Sequence, residues 1–113
     1  MSLIDQTVFN ELKDTAGPEF VAELVGTFLE EAPTMLADLR SARSAGNADV
    51  FRRAAHSLKS NSATFGATEM SGLARRLELD GMASDARQDM AAIDALDDAY
   101  RRAAAALQEL ARG

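Results

Sequence analysis

The chain contains no cysteine, no tryptophan, one histidine, one tyrosine and two prolines in 113 residues. Without thiols it can form no disulfide, no thiolate nucleophile and no zinc–cysteine site, a composition that fits a reducing compartment. No stretch approaches the roughly 20 consecutive apolar residues of a membrane-spanning helix. The N-terminal residues lack the basic segment and apolar run of a secretory signal. Positive charge is also scarce: 12 Lys and Arg stand against 18 Asp and Glu, a formal net charge of −6. Such a chain lacks the positive field on which nonspecific nucleic-acid binding depends. These absences predict a soluble, cytoplasmic protein with neither a nucleic acid nor a membrane as partner.

What is present is helix-forming. Ala, Leu, Glu, Asp and Arg dominate, and the strand-favouring residues never alternate over a useful length, so the composition is all-α. Val8, Phe9 and Leu12 predict a short helix over Asp5–Thr15, ended by Gly17-Pro18. A second helix opens near Pro18, and Phe20, Val21, Leu24, Val25, Phe28, Leu29, Ala32, Met35, Leu36 and Leu39 carry its period to about Ala45. Pro33 lies inside it and is expected to kink or split it, because proline removes one donor and clashes with the preceding turn. Gly46-Asn47 marks a turn. A third helix follows over Ala48–Phe65, and Gly66 marks a tight bend, with Thr68 the expected N-cap of a fourth helix. Met70, Leu73, Ala74 and Leu77 form the buried stripe of that helix, which Gly81 terminates. Met82–Asp85 reads as a loop, and Ile93, Leu96, Tyr100, Ala103, Leu107 and Leu110 define a last helix over Ala86–Ala111. Residues 1–113 therefore read as one domain: an antiparallel four-helix bundle with an additional short N-terminal helix.

The one histidine, His56, lies in the third helix. At about 100° per residue, Phe51, Ala54, Leu58 and Phe65 fall within roughly 40° of the side opposite His56, whereas Arg52, Arg53, Lys59, Ser60 and Ala63 fall within about 60° of it. The imidazole thus points away from the apolar stripe, among cations and small side chains. A neutral imidazole is a good nucleophile toward phosphorus near neutral pH, and a protonated one is a competent leaving group. Lys59, one turn on, is placed to offset the charge of phosphoryl oxygens. Ser60 and Ala63 are small enough for another protein to bring a reactive group close, and Arg52 and Arg53 extend a positive rim suited to an acidic partner.

Several chemistries are missing. Hydrolytic triads and histidine-metal sites need more histidines, thiolates or converging carboxylates. The Glu-x-x-His pairs of di-iron bundles are absent, since position 53 is arginine. No glycine-rich loop cradles a nucleotide. The chain can hold a phosphoryl group but shows no means of taking one from ATP.

The run Ala54-Ala55-His56-Ser57-Leu58-Lys59-Ser60-Asn61-Ser62-Ala63-Thr64-Phe65-Gly66-Ala67 closely resembles the signature of histidine-containing phosphotransfer (HPt) domains. The likeness continues through Met70, Leu73, Ala74, Leu77 and Glu78, and upstream through Phe28–Pro33 and Gly46–Ala48. It implies that His56 accepts a phosphoryl group from an aspartate of one receiver domain and passes it to another in a two-component phosphorelay. The implied partners are receiver domains of response regulators or hybrid histidine kinases. The implied chemistry needs no cofactor of the chain's own, because the receiver supplies Mg²⁺, and no independent catalysis. Ser60 stands where many members have glycine. Glu78 stands where the family often has a glutamine or glutamate that reaches the imidazole, and a carboxylate accepting from Nδ1–H there would leave Nε2 free to attack. Five local helices suggest a monomer.

Two alternatives use similar residues: an adaptor on the same bundle that docks receivers or kinases without transfer, and the phosphoacceptor portion of a larger histidine kinase. The pairing of His56 with Lys59 argues against the first, and the clean caps at both ends argue against the second. Arg75 and Arg76 read as solvated charges, Ser62 and Asn61 as partly buried polar groups in need of partners, and Leu79, opposite its helix's apolar stripe, as an exposed apolar side chain.

Overall fold

A computed structural model describes residues 3–82 and 85–112, and these form helices and their connections, with no strand among them. Helix α1 spans Gln6–Ala16, and the Asp5 carboxylate caps it by accepting from the backbone N–H groups of Thr7 and Val8. Helix α2 spans Pro18–Ala45, with Pro18 in the first turn, where its missing N–H costs nothing. Gly46 ends it in a left-handed conformation (φ +71°) that an L side chain adopts only with strain. Helix α3 spans Ala48–Thr64 and opens on Asn47, whose side-chain oxygen accepts from Val50 N–H at 3.1 Å. Helix α4 spans Thr68–Asp80, and α5 spans Ala86–Arg112. The predicted boundaries hold to within a residue or two, and residues 83–84 of the expected Met82–Asp85 loop lie outside the described residues.

Helices α2 to α5 make the antiparallel bundle around one apolar core, and α1 packs across α2 and α3. A 28-residue helix at 1.5 Å per residue runs for about 42 Å, so α2 alone accounts for the 43 Å long axis of the molecule. Phe51, Ala55, Leu58, Ile93, Leu96 and Leu107 are fully enclosed. Phe28 joins the core through rings on two other helices or connections, Phe65 at 5.4 Å and Tyr100 at 5.9 Å between centroids.

Three expectations are corrected. Phe20 does not belong to the core of α2: it is 52% exposed. Val21, Val25, Phe28 and Ala32 take the inward face, and Phe20, one residue out of register with them, turns to solvent. Thr68 does not cap α4. Ala67 occupies the N-cap without a side-chain hydrogen bond. The turn is closed by backbone alone, with Ala67 N–H donating to Ser62 O at 3.0 Å and Thr68 N–H to Gly66 O at 2.9 Å. Gly66 itself (φ +79°) lies so close to Asp5 that an added Cβ would stand 2.8 Å from the Asp5 carbonyl oxygen. Asp5 N–H in turn donates to Gly66 O at 2.7 Å, which ties the start of α1 to the α3–α4 bend.

The third concerns Pro33: of the kink or split expected there, the split does not occur, and α2 runs unbroken from Pro18 to Ala45. Proline inside a helix leaves the carbonyl four residues earlier without its donor, and here that carbonyl belongs to Leu29. The Tyr100 hydroxyl of α5 donates to Leu29 O at 3.2 Å, replacing the donor that Pro33 lacks. Tyr100→Phe keeps the ring against Phe28 but leaves that carbonyl unsatisfied. The expected cost is about 1–2 kcal/mol, to be read as a lower urea midpoint with unchanged helical circular dichroism in the native state.

Candidate functional site

The apolar stripe of α3 fixes the direction of His56. Phe51, Ala55 and Leu58 are fully buried and Ala54 nearly so, so the helix cannot rotate without exposing them, and a side chain on the far face must point outward. The His56 side chain is 58% exposed. Ser60 and Ala63 are exposed on the same face, leaving open space beside the ring.

Helix α3 packs most extensively against α4, and that packing brings Glu78 to His56. Glu78 follows the buried Leu77 by one residue and flanks the α4 stripe on the side facing α3. Its Oε2 lies 2.5 Å from His56 Nδ1, and its Oε1 accepts from Lys59 Nζ at 2.6 Å. One carboxylate thus holds two neighbours one helical turn apart. The Glu78 side chain is only 17% exposed and that of Lys59 28%, so the pair lies below the rim while the imidazole stands above it. The Lys59 hydrogen bond, and after it the His56 hydrogen bond, hold the Glu78 carboxyl below the ordinary glutamate range, against the opposing effect of partial burial. The site carboxylate is therefore ionised at neutral pH. As an acceptor it requires the proton on Nδ1, which leaves Nε2 as the ring nitrogen available to an incoming group.

The support beneath this triad is a pair of serines. Ser62, fully buried, donates to Leu58 O at 2.6 Å and Lys59 O at 3.1 Å. Ser71 of α4 donates to the same Lys59 carbonyl at 3.2 Å, a cross-helix bond beside the site. Ser62 therefore finds backbone partners, and Asn61 directs its amide toward Met35 Sδ at 3.8 Å. Ser71 carries no signal in the sequence, because its role exists only once α3 and α4 pack.

Arg52 and Arg53 are exposed on the His56 face, but both bind Asp49, at 3.2 and 2.9 Å. The positive rim read from the sequence is therefore smaller than two full charges. Asp49 was legible as their partner, lying three and four residues before them on a helix. Among the described residues, no cluster of His, Asp and Glu has the makings of a metal site, and no helix is long and apolar enough to cross a membrane.

This bundle, with a lone outward histidine on its central helix, is shared by a known class. The profile of the Hpt domain family matches residues 23–112, and the chain belongs to that family of histidine phosphotransfer domains of phosphorelays. It is 34% identical over 79 residues to multistep phosphorelay regulator 1 of Schizosaccharomyces pombe, an alignment covering 67% of this chain. The chain spans 27% of the length of that relative. Its fold is that of histidine-containing phosphotransfer protein B (HptB) from Pseudomonas aeruginosa, with a TM-score of 0.82 at 24% identity, covering 97% of this chain and 95% of the other.

The depressed Glu78 carboxyl yields a pH prediction. A carboxyl lowered in the folded state stabilises the fold above its unfolded value, and that contribution disappears as the pH falls through the lowered one. In a carboxyl ¹³C NMR titration Glu78 is expected to titrate below the ordinary glutamate range. Lys59→Met should move its midpoint upward, since the larger of the two attractive contacts is gone. An unmoved midpoint would remove Lys59 as the cause.

Proposed function

We propose that this chain is a phosphocarrier in which His56 takes a phosphoryl group from a receiver-domain aspartate and delivers it to another. The observation that carries this reading is the division of labour at the imidazole: Nδ1 is held by Glu78 Oε2 at 2.5 Å while the side chain remains 58% exposed. In the forward step the Nε2 lone pair attacks phosphorus, the P–N bond forms, and the P–O bond breaks with its electron pair leaving on the receiver's aspartate. The Nδ1 proton stays on the ring, which becomes cationic and is steadied by the Glu78 carboxylate. In the return step an aspartate of the second receiver attacks, and the imidazole leaves with the electrons of the P–N bond.

Lys59 has three N–H donors and spends one on Glu78, so others remain for phosphoryl oxygens. Ser60 and Ala63 line the approach, and Arg52 and Arg53, with Asp49 between them, border it. The receiver supplies Mg²⁺. The carrier itself has no nucleotide site and no autokinase activity. It works as a monomer in the cytoplasm, and residues 1–113 act as one unit.

The test is label transfer from a panel of receiver domains phosphorylated on aspartate. Wild type should acquire acid-labile, alkali-stable label and His56→Gln none. Wild type that stays unlabelled while still binding receivers would make the protein an adaptor instead. Lys59→Ala should slow transfer by about 10- to 100-fold, the scale of one charge-assisted contact to the migrating group. Its thermal midpoint should move by no more than a few degrees, because a partly exposed ion pair contributes about 0–1 kcal/mol. A fall in stability that matches the fall in rate would assign Lys59 to the fold.

A further inference from the structure

Among the described residues every arginine is ion-paired to a carboxylate except two, Arg75 and Arg76. Both are exposed on α4. One turn after Arg75 comes Leu79, 65% exposed and the most exposed large apolar side chain among the described residues. The rotation of α4 explains their placement. Met70, Ala74 and Leu77 face the core and Glu78 turns toward α3, so Leu79 falls on the outer side, and Arg75, four residues earlier, falls beside it. A chain of net charge −6 thus displays two uncommitted cations next to an apolar side chain.

This outer face is continuous with the His56 site. A cleft lined by Ala48, Asp49 and Arg52 of α3, by Glu78, Leu79 and Asp80 of α4 and by Gly81 runs from α3 to the end of α4. Arg52 stands one turn before His56, and Glu78 holds the imidazole. A specific protein partner covers about 800 Å² on each side, far more than the exposed part of one imidazole and its small neighbours. A partner seated on His56 therefore extends onto an adjoining surface, and on the α4 side of the cleft Leu79 offers apolar area, with the unpaired Arg75 one turn back along the helix, outside the cleft.

Resting on the phosphocarrier reading, we propose that Arg75 and Leu79 form a second docking zone for the receiver domain that reacts at His56. Leu79 inserts into an apolar depression of the receiver, and Arg75 meets acidic side chains on its rim. A receiver suits this face because its reacting centre is an aspartate that binds Mg²⁺, which requires further oxygen ligands and hence an acidic surround. The zone acts on affinity and encounter, not on the chemical step, since neither Arg75 nor Leu79 contacts His56 or Lys59, whose side-chain partner is Glu78.

The experiment uses the full chain and the receiver domain that labels His56 fastest. Single-turnover transfer is measured over a range of receiver concentrations for wild type, Leu79→Ser and Arg75→Glu. Each variant is expected to raise the half-saturating receiver concentration about tenfold, the scale of one buried apolar anchor or one reversed charge. The rate at saturation, the lifetime of preformed phosphohistidine and the thermal midpoint should stay at wild-type values. Arg75→Glu should also flatten the salt dependence of the half-saturating concentration. Unchanged half-saturation in both variants overturns the docking zone while His56 labelling persists. A fall in the saturating rate overturns it as well, by placing the face in the chemistry. Self-association of the wild-type protein that Leu79→Ser abolishes would overturn it in favour of a contact between two copies. Absence of label on wild type would sink the carrier reading itself, so the two failures are separable.

Discussion

Burial of one side of α3 is the constraint on which the rest of the site depends. Phe51, Ala55 and Leu58 have no exposed surface, and rotating the helix to bring His56 inward would expose them, at about 1.5–3 kcal/mol for each large side chain. The same burial forces Ser60, Ala63 and Lys59 onto the His56 side. Reactivity here is a by-product of packing: the core chooses which residues are displayed, and the displayed face sets one imidazole beside the small Ser60 and Ala63, with Arg52, Arg53 and Lys59 around it.

Glu78 converts that display into a defined chemical state. A lone exposed imidazole exchanges its proton between two nitrogens. A carboxylate at 2.5 Å, itself bound to Lys59 at 2.6 Å, selects Nδ1 as the protonated atom. The arrangement places a negative charge beneath the ring and a positive one beside it. On the proposed function, a phosphoryl group arriving at Nε2 would meet a ring able to accept positive charge and a cation able to face its oxygens. Serines at 62 and 71 converge on the Lys59 carbonyl and hold α3 and α4 in the register that this geometry requires.

Two features that contradict local rules are repaired by distant parts of the chain. Pro33 sits inside an unbroken helix, and the carbonyl it deprives accepts from Tyr100, 71 residues beyond Leu29. Gly66 permits an approach by Asp5 that any side chain would block. Both lie at junctions: the first joins α2 to α5, the second joins α1 to the bend from which α4 departs. The orientation of α4, and with it the reach of Glu78, depends on that bend. Ionic contacts add to these junctions, with Arg43 Nε 2.7 Å from the nearly buried Asp89 and Arg102 gripping Glu69 through two nitrogens.

The sequence by itself determined the five helices, the outward direction of His56 and the company of Lys59, Ser60 and Ala63, because each follows from a 3.6-residue period acting within one helix. It also carried the HPt resemblance, since that motif is contiguous. Only the tertiary structure decided that Glu78 binds both His56 and Lys59, that Pro33 is tolerated, that Phe20 is exposed and that Ala67 rather than Thr68 occupies the N-cap of α4. The pairing of Arg52 and Arg53 with Asp49 stands between the two: it is local enough to be read from spacing, yet only side-chain geometry shows both cations on one carboxylate. The physical reason is range. Periodicity fixes what faces a helix's own axis, whereas contacts between helices depend on the rotation and register at which the core closes.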